Sequence, residues 1–443
     1  MGKEMRGWPW RNLLGLSVAL NVGLLLKLVT ERGGYWGGEN LNGICHFEKQ
    51  RSEVVVFGSP EKAYLTTAGG GGGPVVAAAA GGGDDRVINL DQGDPTMYEK
   101  FWRQAGDKAT FVIPGWQAVS YFSDPNNVCW FLEPQLEKEI LRLHRIVGNA
   151  VTDDRYVVVG TGSTQLFQAA IYALSPQDGT GPISVVSATP YYSFHRQVID
   201  YIKSGLYSWA GDAESFSDEG PYIEIVTSPN NPDGVMRQSM VNRSGGMLIH
   251  DFAYYWPQYT PITHAADHDL MLFTASKSSG HAGMRVGWAL VKDRGVAKRM
   301  AKFIELSSIG VSKDSQLRAA KILQVVSDNS GHASGLNLFE FTRNQMAQRW
   351  ERLKRAVEDN GLFSLPEFPS KFCNYSKRSF KSQPAFAWLK CEGEIEDCES
   401  FLRERNILTR GGKHFGMSPK YVRISMLDRD DTFHLFVKRL STM

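Results

Sequence analysis

Three features of this 443-residue chain point to an α/β architecture with a mostly parallel central sheet. Short β-branched runs recur between residues 156 and 291, separated by stretches with helical spacing. Each run ends on a polar or Gly/Pro-bearing segment of the kind that leaves a strand. Behind them, residues 296–360 are rich in Lys, Arg, Leu, Ala and Glu at helical spacing, and 366–443 mix short strands and helices. The expectation is a large domain at 125–325 and a smaller α+β domain at 326–443 that includes the bridging helices.

At the N-terminus, residues 13–29 read LLGLSVALNVGLLLKLV, apolar except for Ser17, Asn21 and Lys27. As a helix this run would span about 25 Å, slightly short of a bilayer core. Trp8 and Trp10 precede it, where interfacial aromatics are favoured. A cleaved signal peptide would want small residues at a cut site, which the following Thr30-Glu-Arg-Gly does not supply. The expectation is therefore a hydrophobic membrane-anchor helix within 1–32. Lys3, Arg6 and Arg11 before the run, against Lys27 and Arg32 after it, favour a cytosolic N-terminus only slightly. Sequons stand at Asn242 and Asn374.

Residues 33–86 carry Gly69 to Gly73, Ala77 to Ala80 and Gly81 to Gly83, a composition that cannot bury a core. They read as a flexible linker. Its glycine run is not a phosphate loop, because no Gly-Lys-Ser/Thr follows. Residues 87–124 read as an arm leading into the folded body. Strands are expected at 156–160, 183–187, 222–226, 247–250, 270–273 and 286–291, with a helix over 165–174.

Composition narrows the function. The net charge of +2 gives no footprint for nucleic acid. Five cysteines are too few and scattered for a disulfide scaffold, and none has metal-ligand spacing, so no metal is expected. Cys391 and Cys398 read as ordinary thiols.

Candidate chemistry falls at the ends of the strands, where open α/β sheets bind ligands. Thr274-Ala-Ser-Lys277 and Arg285, eight residues apart with small residues between, suit a lysine that holds an aldehyde cofactor and an arginine that forks onto its phosphate. A Ser/Gly-rich surface loop would read the same way. Gly160-Thr-Gly-Ser163-Thr164 could present a helix N-terminus to a phosphate, or be a plain cap. Asn231, in Ser228-Pro-Asn-Asn-Pro-Asp-Gly, offers an amide donor, though the spelling also suits a turn. Asp251, after 247–250, would pair with a protonated ring nitrogen, and Tyr254 could donate to the ring's oxygen. Tyr191 and Tyr192, in Thr189-Pro-Tyr-Tyr, could stack on a flat ring or form an ordinary core pair. Arg423, between apolar neighbours, suits a substrate carboxylate or a salt bridge within the smaller domain. Six such coincidences in the chain order of phosphate cap, ring aromatic, Asn, Asp with Tyr, Lys, then Arg would be improbable.

This ordered set resembles the pyridoxal-phosphate enzymes of the aspartate aminotransferase fold. It looks most like the plant alliinase and tryptophan aminotransferase-related family. The phrases that carry the likeness include Asn89-Leu-Asp-Gln-Gly93-Asp94-Pro95-Thr96, Ser120-Tyr121-Phe-Ser-Asp124, Val159-Gly-Thr-Gly-Ser-Thr-Gln165, Thr227-Ser-Pro-Asn-Asn-Pro-Asp-Gly234 and His250-Asp-Phe-Ala-Tyr-Tyr-Trp-Pro257. The resemblance implies pyridoxal 5'-phosphate as cofactor, with Lys277 as the Schiff-base lysine and general base. It implies that Asp251 pairs with the pyridinium nitrogen and that Tyr254 and Asn231 hold the phenolate oxygen. Ser163, Thr164, Thr274 and Arg285 would hold the phosphate, with Tyr121 reaching across from the other subunit of a homodimer. Tyr191 would stack on the ring, Arg423 would take the substrate carboxylate, and Gly93 would lie at the substrate mouth. Trp116, Phe122 and Phe386 are candidates for the side-chain pocket.

Two chemistries compete within the family. Alliinases cleave a carbon–sulfur bond and usually carry a cysteine-rich module ahead of the catalytic body. This chain has only Cys45 there. The resemblance therefore implies an L-tryptophan–pyruvate aminotransferase of auxin synthesis, anchored at the endoplasmic reticulum membrane. A lyase acting on S-alkyl-cysteine sulfoxides, or an inactive anchored binding protein, are the alternatives.

Overall fold

The strands in chain order show how the site is assembled. In the computed structural model they are β1 (Ile88–Asn89), β2 (Tyr156–Gly160), β3 (Ile183–Ser187), β4 (Tyr207–Asp212), β5 (Tyr222–Thr227), β6 (Gly246–Asp251), β7 (Leu270–Thr274) and β8 (Gly287–Val291). They continue with β9 (Phe363–Ser364), β10 (Ser370–Cys373), β11 (Arg378–Lys381), β12 (Phe386–Cys391), β13 (Ile407–Leu408), β14 (Arg410–Gly411) and β15 (Tyr421–Ser425). The structure describes residues 85–443 apart from 177, 179–180, 242 and 331–335. The expected anchor helix at 1–32, nearly all of the expected linker at 33–86, Cys45 and the Asn242 sequon lie outside the described residues. Among the described residues no helix is long and apolar enough to cross a membrane.

The central sheet has seven strands in the order β2-β8-β7-β6-β5-β3-β4. The pairs β7–β6, β6–β5, β5–β3 and β3–β4 are parallel. β8 runs antiparallel to both its neighbours, β2 and β7, so the sheet is mixed. β5 (YIEIVT) and β7 (LMLFT) are buried at every position, as strands covered on both faces must be. Glu224 is the exception in kind on β5. Its carboxylate is buried but accepts from the backbone N–H groups of Met240 at 2.6 Å and Val241 at 3.2 Å.

Helices flank this sheet for local reasons. Pro134–Val147 starts on a proline, places Leu136, Ile140, Leu143 and Val147 on one buried face, and stops at Gly148 with φ 69°. Arg294–Ser308 is capped by Asp293, whose Oδ1 accepts from Val296 N at 2.7 Å. Leu338–Asn360 packs instead against β9 and the C-terminal helix Asp430–Ser441; it is capped by Asn337 and ends at Gly361 with φ 65°.

A second sheet, β14-β15-β12-β9, is antiparallel throughout and carries Arg423 on β15. β1 pairs in parallel with β13, which ties the arm that follows the linker to the C-terminal region. The sequence reading of Cys391 and Cys398 as ordinary thiols is corrected here. The loop between β12 and the helix Cys398–Arg403 returns on itself, brings the two Cα atoms to 5.6 Å, and the pair forms a disulfide. Cys129 and Cys373 are buried free thiols.

Candidate active site

The carboxyl ends of β5, β6 and β7 finish together at one edge of the sheet. The register sets Thr227 beside Asp251, and Asp251 beside Leu272. β8 begins at the same edge, with Gly287 opposite Thr274 and Gly160. A cavity of about 170 Å³ opens there, lined among others by Ser163, Thr164, Tyr192, Asn231, Asp251, Tyr254, Thr274, Lys277 and Arg285. Eight of the twelve residues expected from the sequence are thus brought together around one volume.

Lys277 follows β7 on a four-residue helix, Ala275–Ser278, whose cap is Thr274. Its amine reaches the Gly93 carbonyl oxygen and lies 5.9 Å from the centre of the Tyr254 ring. Burial of that amine pushes its pKa down to about 8, assisted by the positive charges of Arg423 and Arg285 and opposed by Asp94. A neutral, nucleophilic amine is therefore accessible near neutral pH. The Thr274 hydroxyl accepts from Ser276 N at 3.2 Å, so it serves this short helix as well as facing the cavity.

Asp251 is buried, and Ala253 N donates to its Oδ1 at 3.0 Å. No lysine or arginine pairs with it among the described residues. Its nearest ring neighbour is His195, with Nε2 3.5 Å from Oδ2. Asn231 has its amide oriented by Arg423, whose Nη1 donates to Asn231 Oδ1 at 3.0 Å. That leaves the amide nitrogen as the group available to a ligand. Burial raises the pKa of Tyr254 well above its ordinary value and raises that of Tyr192, so both remain neutral donors.

The phosphate-like end is built by close approach. Gln165 Oε1 accepts from Thr161 N at 2.8 Å and so caps the start of the helix Gly162–Leu174. Ser163 and Thr164 then face the cavity from the first turn. Gly162, at φ +72°, leaves room for Arg285: a Cβ there would lie 2.4 Å from Arg285 Nη2. A Cβ on Gly287 would lie 2.7 Å from Ser163 N. Arg285 is itself held at φ 54° and donates to Ala282 O at 2.9 Å.

Arg423 is 3% exposed, lies 4.1 Å from the centre of the Phe386 ring and donates to Asp91 O. Burial, then the nearby Arg410, lowers its pKa to about 10, and its Nε has no partner. A substrate carboxylate would supply one. Gly93 sits against this group: a Cβ there would meet Phe386 Cζ at 2.7 Å and Lys277 Nζ at 3.3 Å.

Other expected positions fall elsewhere. Tyr191 packs edge-on against Trp209 at 4.9 Å and does not line the cavity; its neighbour Tyr192 does. Tyr121 is 69% exposed and outside the cavity in the single chain. Of the suggested pocket aromatics, Trp116 is exposed, Phe122 is partly covered by Trp130, and Phe386 is at the site. Sequence reasoning offered both tyrosines and favoured Tyr191, one residue from the one that lines the cavity, and it missed His195 and Thr227. The spacing of Tyr192 and His195, three residues apart at a helix start, was the available signal for the histidine.

The cavity suits a flat, phosphate-bearing aldehyde. Its buried carboxylate has no lysine or arginine partner among the described residues, Thr227 Oγ1 is buried on its wall without a partner, and two glycines clear the phosphate end. Residues 88–443 match the sequence profile of the allinase family. The chain belongs to the alliinase and tryptophan aminotransferase-related family. Tryptophan aminotransferase-related protein 2 of Arabidopsis thaliana is 56% identical over 446 aligned residues, covering 100% of this chain and 99% of that protein. An alliin lyase of Allium cepa var. aggregatum is 37% identical, covering 80% of this chain and 81% of its own length. Among solved structures, the aspartate aminotransferase of Rhizobium meliloti is similar with a TM-score of 0.57 at 17% identity, covering 81% of this chain and 91% of that one. The last comparison establishes the aspartate-aminotransferase-like fold of this family member.

Proposed function

We propose that the chain is a pyridoxal-phosphate-dependent aminotransferase that moves the amino group of L-tryptophan to pyruvate, giving indole-3-pyruvate and L-alanine. The observation that carries this reading is Lys277, whose amine shares one cavity with the buried Asp251, a carboxylate that no lysine or arginine among the described residues pairs with. When bound, the cofactor supplies a conjugated ring that accepts the electron pair left at the substrate's α-carbon. Asp251 would pair with the ring nitrogen and keep it charged. Asn231 and Tyr254 would donate to the ring oxygen, and Tyr192 would cover the ring. Ser163, Thr164 and Arg285 hold the phosphate. Arg423 pairs with the carboxylate of the amino donor, beside the aromatic wall of Phe386. Lys277 Nζ takes the α-proton and gives it back one carbon away.

Tryptophan as donor is supported by the name of the 56% identical Arabidopsis thaliana relative described above. The 37% identical alliin lyase favours a second reading, carbon–sulfur cleavage on the same scaffold. Purified protein given L-tryptophan and pyruvate should yield indole-3-pyruvate, and Lys277→Ala should yield none. Pyruvate released from S-alkyl-cysteine sulfoxide with no amino acceptor present, and no indole-3-pyruvate, would establish the lyase instead.

We also infer a homodimer and a membrane anchor. Val112, Trp116, Val119, Tyr121 and Phe122 are all more than half exposed along one arm, an apolar run that a second copy would cover. Residues 13–29 would hold the protein to the endoplasmic reticulum membrane. Deleting residues 1–32 should release it from microsomes washed with alkaline carbonate.

A further inference from the structure

Lys277 sits on a helix too short to satisfy its own carbonyl groups. Three buried side chains from outside that helix converge on the Lys277 carbonyl oxygen. Gln258 Nε2 donates to it at 3.0 Å, and the Tyr259 hydroxyl lies 3.3 Å and the Tyr98 hydroxyl 3.4 Å from it. The same Gln258 nitrogen lies 3.3 Å from Ser278 O and 3.1 Å from the Tyr98 hydroxyl. The two tyrosine hydroxyls are 2.7 Å apart. One tyrosine hydroxyl donates to the other, so only the remaining hydroxyl proton can go to Lys277 O; together with the Gln258 amide it fills the two lone pairs of that carbonyl oxygen and fixes its position. Burying three polar side chains is costly unless each is bonded, and apolar residues would fill the volume without that cost. The arrangement fixes the root of the lysine, while its amine reaches the other way to Gly93.

The chain beyond the lysine is fixed from the same side. Gly280, at φ +82°, passes directly over Tyr98, and a Cβ there would lie 2.4 Å from Tyr98 Cγ. Tyr98 thus supports both the base of Lys277 and the start of the loop that leads to Arg285.

We propose that Gln258, Tyr98 and Tyr259 form a clamp on the main chain of Lys277 that positions its amine against the cofactor's reactive carbon. This rests on the reading of Lys277 given above. The three are positioning residues: they touch the lysine's backbone and do not line the cavity. Loosening the clamp lets the amine wander at the end of four rotatable bonds, while the ring and phosphate contacts stay in place.

The test uses two probes on the cofactor-free protein. Pyridoxal 5'-phosphate is added and its attachment to Lys277, with loss of water, is trapped by borohydride at intervals. Pyridoxamine 5'-phosphate, which has no aldehyde, is titrated by calorimetry as the control. Gln258→Leu and Tyr259→Phe should each slow attachment about tenfold, the order of one lost hydrogen bond. Their affinity for pyridoxamine phosphate should stay within about twofold of the parent. Gln258→His, which keeps a ring N–H donor, should recover much of the rate. In turnover with an amino donor, kcat should fall while KM holds. Melting curves check that each variant folds; should Gln258→Leu fail, Tyr98→Phe and Tyr259→Phe remove one oxygen atom each and carry the test. Attachment at the parent rate in folded variants would overturn the clamp, as would an equal loss of pyridoxamine phosphate affinity. No attachment in the unmodified protein would instead overturn the proposed function, and the clamp with it.

Discussion

Gly162→Ala tests the phosphate end with a single methyl group. The backbone at this position is left-handed, at φ +72°, which costs an alanine about 1–2 kcal/mol. The new Cβ would stand 2.4 Å from Arg285 Nη2. That atom is the tip of a flexible side chain, so the arginine swings aside rather than unfolding the chain. Its fork then no longer faces the phosphate. A hydrogen bond to a charged group is worth about 1.5–3 kcal/mol, or roughly 10- to 100-fold in affinity. Calorimetry with pyridoxamine 5'-phosphate should show that loss. Pyridoxamine, which lacks the phosphate, should bind the variant and the parent alike. If the preference for the phosphorylated ligand survives in the alanine variant, Arg285 is not its partner and the assignment of this end of the cavity is wrong.

Replacing Arg423 by Lys keeps a positive charge and loses the fork, so kcat/KM for the amino donor should fall roughly 10- to 100-fold in steady-state kinetics. Affinity for pyridoxamine phosphate should fall by less than kcat/KM does, since only the Arg423 bond that orients Asn231 bears on the ring. Lys277 releases its proton near pH 8 in the fold against 10.5 for an ordinary lysine. The rate of pyridoxal phosphate attachment, followed by its visible absorption, should therefore rise through pH 8 and level off above it. A flat profile between pH 6.5 and 9 would contradict this. Asp428 is pushed up to about 7, chiefly by burial, and its Oδ2 has no partner. The folded state holds a proton there that the unfolded chain sheds from about pH 4, so stability falls as pH climbs from about 4 to 7. Asp428→Asn should remove that slope and raise the denaturant midpoint at pH 8.

The parallel strands were legible because residues such as Ile223, Ile225 and Val226 leave no polar face, and only a doubly covered strand tolerates that. β4 escaped notice because Tyr-Ser-Trp-Ala-Gly-Asp is an edge strand of mixed polarity with a glycine. Lys277, Asp251, Asn231 and Arg285 were legible because each follows a recognisable strand, and strand ends converge. Choosing between Tyr191 and Tyr192 needed the third dimension: both are aromatic and covered, yet one faces Trp209 and the other the cavity. The same holds for Gln258 and Tyr98. Their bonds to Lys277 close across 19 and 179 residues, and no local pattern encodes them. The Cys391–Cys398 disulfide depended on a loop turning back, which composition does not reveal.

β8 runs against its neighbours, and this gives the sheet a second use as a ruler. A parallel continuation would need a crossover back to the far end before Arg285 could be delivered. The antiparallel return keeps the lysine and the arginine on one short span, pinned at both ends by the pairing of Thr274 with Gly287. The ladder reaches one step further, with Ala275 N donating to Val286 O at 3.0 Å. Strand residues advance about 3.4 Å each. A two-residue slip between β7 and β8 would keep every side chain on its proper face and still carry the guanidinium about 7 Å from its mark. The spacing between the reactive amine and the anion grip is therefore measured out by backbone hydrogen bonds, and substitutions deep in β7 or β8 that touch no ligand can retune it.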